Sequence, residues 1–64
     1  MKNRMKELRA RFNLSQEDLA KQVEVTRQTI NAIERGRYGL SLNLAFRISR
    51  ALKSKVEDVF LFEP

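Results

Sequence analysis

The sequence predicts an all-α fold, a compact bundle of four to five short helices. Three observations predict it. Apolar residues recur at helical spacing in successive segments. Ser15, Thr26 and Ser41 each stand just ahead of such a segment, where a side-chain oxygen can accept from the first unpaired N–H groups of a helix. Gly36 follows the third segment, at the position where a left-handed residue commonly closes a helix.

The first helix is expected over residues 3–12. Met5, Leu8 and Phe12 make one apolar stripe, and Leu14 closes it after a turn at Asn13. Lys2, Arg4, Lys6 and Arg11 fall on the polar face, with Arg9 at the edge of the stripe. The second helix opens at Ser15, where Asp18 is placed to complete a capping box and Glu17 adds negative charge in the first turn. Leu19, Ala20 and Val23 share its inner face, and the small Ala20 lets a neighbouring helix cross closely. Thr26 caps the third helix. At about 100° per residue, Ile30 and Ile33 point inward while Gln28, Asn31, Ala32 and Arg35 fall on the opposite side.

After the loop Arg37-Tyr38-Gly39-Leu40, Ser41 caps a fourth helix running to about Lys53. Its apolar residues, Leu42, Leu44, Ala45, Phe46, Ile48, Ala51 and Leu52, spread over an arc of roughly 220°, more than one packed face requires. Residues 56–60 make one last helical turn. The expected core is Leu8, Phe12, Leu19, Val23, Ile30, Ile33, Ala45, Ile48 and Leu52.

With 64 residues, the chain is expected to be a single domain over residues 1–64 with a small core. There is no cysteine and no histidine, so disulfides and the usual zinc ligands are absent, and no metal or cofactor is expected. Gly36 and Gly39 are the only glycines and form no phosphate loop. Serine, threonine and the carboxylates at residues 15–18 have ordinary capping roles, so no catalytic residues and no enzyme activity are expected. No apolar run approaches a membrane span, and no signal peptide is evident; a cytoplasmic protein without membrane partners is expected. Thirteen basic against eight acidic residues give a net charge of +5, which suits a polyanion but equally suits a merely soluble basic surface.

Residues 15–36 resemble the helix-turn-helix of Cro/C1-type (XRE family) DNA-binding regulators. Gln16, Leu19, Ala20, Val25, the run Thr26-Arg27-Gln28-Thr29-Ile30, Ile33, Glu34 and Gly36 carry the resemblance. More loosely it spans residues 3–60. It implies a lambda-repressor-like domain that binds double-stranded DNA as a small transcriptional regulator, with residues 26–35 as the recognition helix; a repressor is expected, with an activator as the alternative. A structural ion pair between Arg9 and Glu34 is carried over from the family. Three departures stand out. Glu24 occupies a turn position where the family usually has glycine, at a cost on the order of 1 kcal/mol. Gly39-Leu40 stands where Asn-Pro is frequent. Lys53 and Lys55 replace the glycine and serine that commonly end helix four, so that end is expected to be less sharply defined.

A recognition helix needs donors and acceptors in its N-terminal half. Gln28 suits adenine N6 and N7, and Arg27 suits guanine O6 and N7, with phosphate contact alone as the alternative for Arg27. Asn31 suits either base or a phosphate, and Ala32 suits a thymine methyl. The resemblance assigns phosphate contacts to Gln16, Arg37 and Tyr38, with simple loop packing as the alternative for Tyr38; Thr26 and Arg35 complete the expected phosphate set.

One module of this size binds DNA weakly, so a homodimer is expected. Residues 59–64 are the expected dimerisation tail, with Phe60 turned inward and Leu61 and Phe62 meeting a two-fold mate beside Leu44 and Phe46. The alternative is a tail that folds back to cap helix four. The competing functional class is an antitoxin-like or protein-interaction module on the same fold, with a second protein as partner. Against it stands a recognition face, Arg27, Gln28, Asn31 and Arg35, that carries no acidic residue.

Overall fold

The starts of three helices in this chain are fixed by capping side chains, and the ends of four by backbone geometry. The computed structural model describes residues 2–37 and 39–61. Within them β1 (Lys2–Asn3) leads into α1 (Met5–Arg11), α2 (Gln16–Val23), α3 (Arg27–Glu34), α4 (Leu42–Ala51) and α5 (Val56–Val59), followed by β2 (Phe60–Leu61). Ser15, Thr26 and Ser41 cap α2, α3 and α4, accepting from the N–H groups of Asp18, Thr29 and Leu44.

The first four helices end alike. Asn13, Glu24, Gly36 and Lys53, which lead the chain out of them, take left-handed conformations with φ of 55°, 61°, 73° and 52°. At each end two N–H groups turn back to carbonyls of the last turn. Asn13 donates to Ala10 and Leu14 to Arg9; Glu24 donates to Lys21 and Val25 to Ala20; Gly36 donates to Ile33 and Arg37 to Ala32; Lys53 donates to Arg50 and Ser54 to Ser49. This is the Schellman arrangement. Leu14 and Val25, the residues just past two of these turns, pack against the core. Of the four positions only Gly36 avoids the Cβ penalty of positive φ. The end of α4 is therefore sharp, contrary to expectation. Its two return bonds and the fully buried Leu52 outweigh the strain at Lys53.

The first helix starts at Met5 and not at residue 3, because the chain ahead of it is extended. Lys2 pairs with Leu61 and Asn3 with Phe60 in a short antiparallel ladder, and Arg4 N–H donates to the Val59 carbonyl at 2.8 Å. Residues 60–61 of the expected tail thus pair with the chain's own N-terminal segment. Phe60 turns inward, as expected, and Leu61 outward. Residues 62–64, including Phe62, lie outside the described residues.

The core joins Met5 and Leu8 of α1, Leu19, Ala20 and Val23 of α2, Ile30 and Ile33 of α3, Leu44, Ala45 and Ile48 of α4, and Leu52, Val59 and Phe60. Phe12 is the exception to the expected list. It lies just past the last turn of α1 and is half-buried, with Lys53 Nζ 5.7 Å from its ring centre. The wide apolar arc of α4 divides. Leu44 belongs to the core and not to an exposed patch, whereas Leu42 and Phe46 are 69% and 51% exposed.

Candidate nucleic-acid interface

The interface is built by two eight-residue helices and the turn between them. Ser15 fixes the start of α2 through both bonds of a capping box: its N–H donates to Asp18 Oδ2 at 3.0 Å, and its Oγ accepts from Asp18 N–H at 2.9 Å. The N–H of Ser15 and then its hydroxyl hold the Asp18 carboxyl below the ordinary carboxylate range. The chain leaves α2 through the left-handed Glu24, whose carboxylate meets Arg47 of α4 at 3.0 Å. Ala20 is buried and belongs to the core shared with α3. Thr26 then accepts from Thr29 N–H at 3.1 Å and starts α3.

On α3 the inner residues Ile30 and Ile33 are buried and the outer residues Arg27, Gln28 and Arg35 are exposed. The side chains of Arg27 and Gln28 make no hydrogen bond or ion pair with any described residue. Asn31 and Ala32 are half-buried, and Arg37 is exposed beyond the helix end. Tyr38 lies outside the described residues.

The far end of α3 is locked. Glu34 accepts from Arg9 Nε at 2.6 Å and from a second guanidinium nitrogen at 3.1 Å, and a third nitrogen of Arg9 donates to the Leu14 carbonyl at 2.9 Å. These side chains are only 12% and 9% exposed. Gln16 extends the network: its amide donates to Glu34 Oε1 at 3.2 Å, and its oxygen lies 3.5 Å from the Asn31 amide nitrogen. Gln16 is therefore half-buried and tied to α3 instead of standing free at the start of α2.

One contributor is invisible in the sequence. The Asn3 amide donates to the Ile33 carbonyl at 2.9 Å while its oxygen accepts from Met5 N–H at 3.2 Å, joining the end of α3 to the start of α1. A lone asparagine near a chain start carries no pattern that announces such a partner thirty residues away.

A helix-turn-helix family model matches residues 5–59. The chain belongs to the Cro/C1-type helix-turn-helix family. This family consists of DNA-binding transcriptional regulators and is not a class of enzymes. Two relatives illustrate the match. An uncharacterized HTH-type transcriptional regulator of Bacillus subtilis is 59% identical over 63 residues, covering 98% of this chain and 96% of the relative. One from Methanocaldococcus jannaschii is 56% identical over the same length, with the same coverage. Among solved structures, the restriction-modification controller protein C.AhdI of Aeromonas hydrophila superposes with a TM-score of 0.82 at 33% identity. That match covers 89% of this chain and 86% of the controller. This helix-turn-helix regulator is built of short helices, and among the described residues none is long and apolar enough to cross a membrane.

Proposed function

We propose that the protein is a sequence-specific repressor in the cytoplasm, with α3 lying in the major groove of double-stranded DNA. Arg27 and Gln28 read base edges, Asn31 reads a base or holds a phosphate, and Ala32 packs against a thymine methyl. Gln16, Thr26, Arg35, Arg37 and Tyr38 hold the sugar–phosphate backbone. The observation that carries this reading is the exposed state of the Arg27 and Gln28 side chains, without protein partners, at the N-terminal end of a helix whose other end is anchored. Repression is preferred because occupying a promoter-overlapping site requires nothing beyond binding.

The protein acts as a homodimer in this reading. Leu42 and Phe46 form an exposed i,i+4 apolar pair on α4, and Phe46 borders a groove of about 340 Å³ that also touches Arg50 and Val56. Leu61, 37% exposed on β2, adds a second apolar surface. Sedimentation should give a dimer at micromolar concentration that Phe46→Glu splits, weakening operator binding in parallel. A wild type that stays monomeric and binds no worse as Phe46→Glu would end the dimer proposal.

Random-site selection on duplex DNA tests the whole reading. It should enrich paired inverted half-sites about one helical turn, ~34 Å, apart. A pool that shows no enrichment would overturn it.

A further inference from the structure

The notched surface beside the anchored end of α3 has a charge pattern that its structural bonds do not use. A cleft of about 260 Å³ is lined by Lys6 of α1, Gln16 of α2, Asn31 and Glu34 of α3, Arg35, and Arg9. Arg9 and Glu34, both in the lining, neutralise each other. Gln16 is tied to that pair through Glu34. What remains in the lining is two cations from different elements, Lys6 on α1 and Arg35 at the end of α3. Both are exposed, and neither side chain has a hydrogen bond or ion pair to any described residue. The acidic residues of the neighbouring turn, Glu17 and Asp18, do not line the cleft. Its rim includes Asn31, so it opens beside the outward face of α3 and not on a remote side.

We propose that this cleft binds one phosphodiester of the DNA backbone, with Lys6 as a direct ligand contributed by the first helix. The proposal rests on the DNA-binding reading above and adds to it a residue outside the helix-turn-helix. An anionic oxygen there meets the Lys6 ammonium, the Arg35 guanidinium and the side-chain amides of Gln16 and Asn31. The buried Arg9–Glu34 pair then does two things at once. It holds α1 against α3, and it sets the spacing between Lys6 and Arg35. Lys6 fixes orientation on the duplex and carries no sequence information, as phosphate contacts do.

The test uses the full chain and two duplexes, the selected operator and a random sequence of equal length, titrated from low to high salt. Lys6→Gln should weaken both duplexes by the same several-fold factor. It should also make the slope of log K against log salt shallower by about 0.9, the value for one phosphate contact removed. Lys6→Arg should restore the slope. Lys21→Gln removes the same charge from an exposed site outside the cleft and should leave the slope at the wild-type value. If wild type binds DNA and Lys6→Gln behaves like Lys21→Gln, the cleft is not a phosphate site, while the DNA-binding reading stands. A wild type that binds neither duplex at any salt overturns that reading, and the cleft with it.

Discussion

The two ends of α3 belong to one helix of eight residues, yet they are opposite in kind. At the N-terminal end Arg27 and Gln28 reach solvent with their side-chain hydrogen-bonding groups uncommitted. At the C-terminal end Glu34 is nearly buried under three hydrogen bonds from Arg9 and Gln16, and Asn3 holds the Ile33 carbonyl. The comparison teaches that polar side chains on one helix divide by partnership. Those paired inside the protein fix where the helix sits; those left unpaired are available to a ligand. A reading head needs both, because a base contact is specific only if its helix cannot drift.

The sharpest way to break the comparison is at the anchored end. Glu34→Ala leaves Arg9 nearly buried with no counter-charge and should cost about 3–5 kcal/mol of folding stability. Chemical denaturation of Glu34→Ala, Arg9→Ala and the double variant should give strongly non-additive losses. Additive losses would mean that the pair does not act as a unit.

At the free end the effect moves from stability to recognition. Gln28→Ala should cost about 1–3 kcal/mol in operator binding and relax preference at a single base pair. Its unfolding free energy should stay within about 0.5 kcal/mol of wild type.

The turn that joins the two helices sharpens the account through backbone strain. Glu24→Gly removes the Cβ penalty at φ 61° and should stabilise by about 0.5–1 kcal/mol. The same substitution also removes the ion pair with Arg47, which is largely exposed and is worth less than the strain. A thermal midpoint that falls in Glu24→Gly would show that the ion pair outweighs the strain.

The smallest effect lies at the start of α2. The folded-state pKa of Asp18 is depressed, so its contribution is present above the unfolded carboxylate value and declines as pH falls through the lower folded value. Stability of wild type should therefore drop, on acidification below the ordinary aspartate range, more than that of Asp18→Asn. Parallel acid profiles for the two proteins would remove the capping box as a pH-dependent element.

Much of the architecture is legible in the sequence because it is periodic or local. Ser15, Thr26 and Ser41 announce their helices by residue type and position, and Ile30 and Ile33 announce their inward face by spacing. The features that escape the sequence share another physical origin. The strand at Lys2–Asn3 has no alternation to read, since two residues cannot show a period; it exists because Phe60–Leu61 lies beside it. The sharp end of α4 is hidden because Lys53 lacks glycine's freedom, and only the packing of Leu52 and two backbone bonds show that the strain is overcome. Phe12 joins the expected core only if the stripe of α1 continues one residue past where that helix stops. In the candidate interface, spacing identifies the outward face of α3. Spacing alone leaves Gln16 looking like a free surface amide; its ties to Glu34 and Asn31 cross from α2 to α3 and leave no trace in either helix's own pattern.

The most direct test of this division of labour takes one variant and two readouts. Gln28→Ala is measured for unfolding by denaturant and for binding to the selected operator and each of its single-base substitutions at fixed salt. The prediction is an unchanged unfolding midpoint together with loss of discrimination at one base pair, all other positions keeping theirs. An operator preference identical to wild type, or a protein destabilised as deeply as Glu34→Ala, would contradict it.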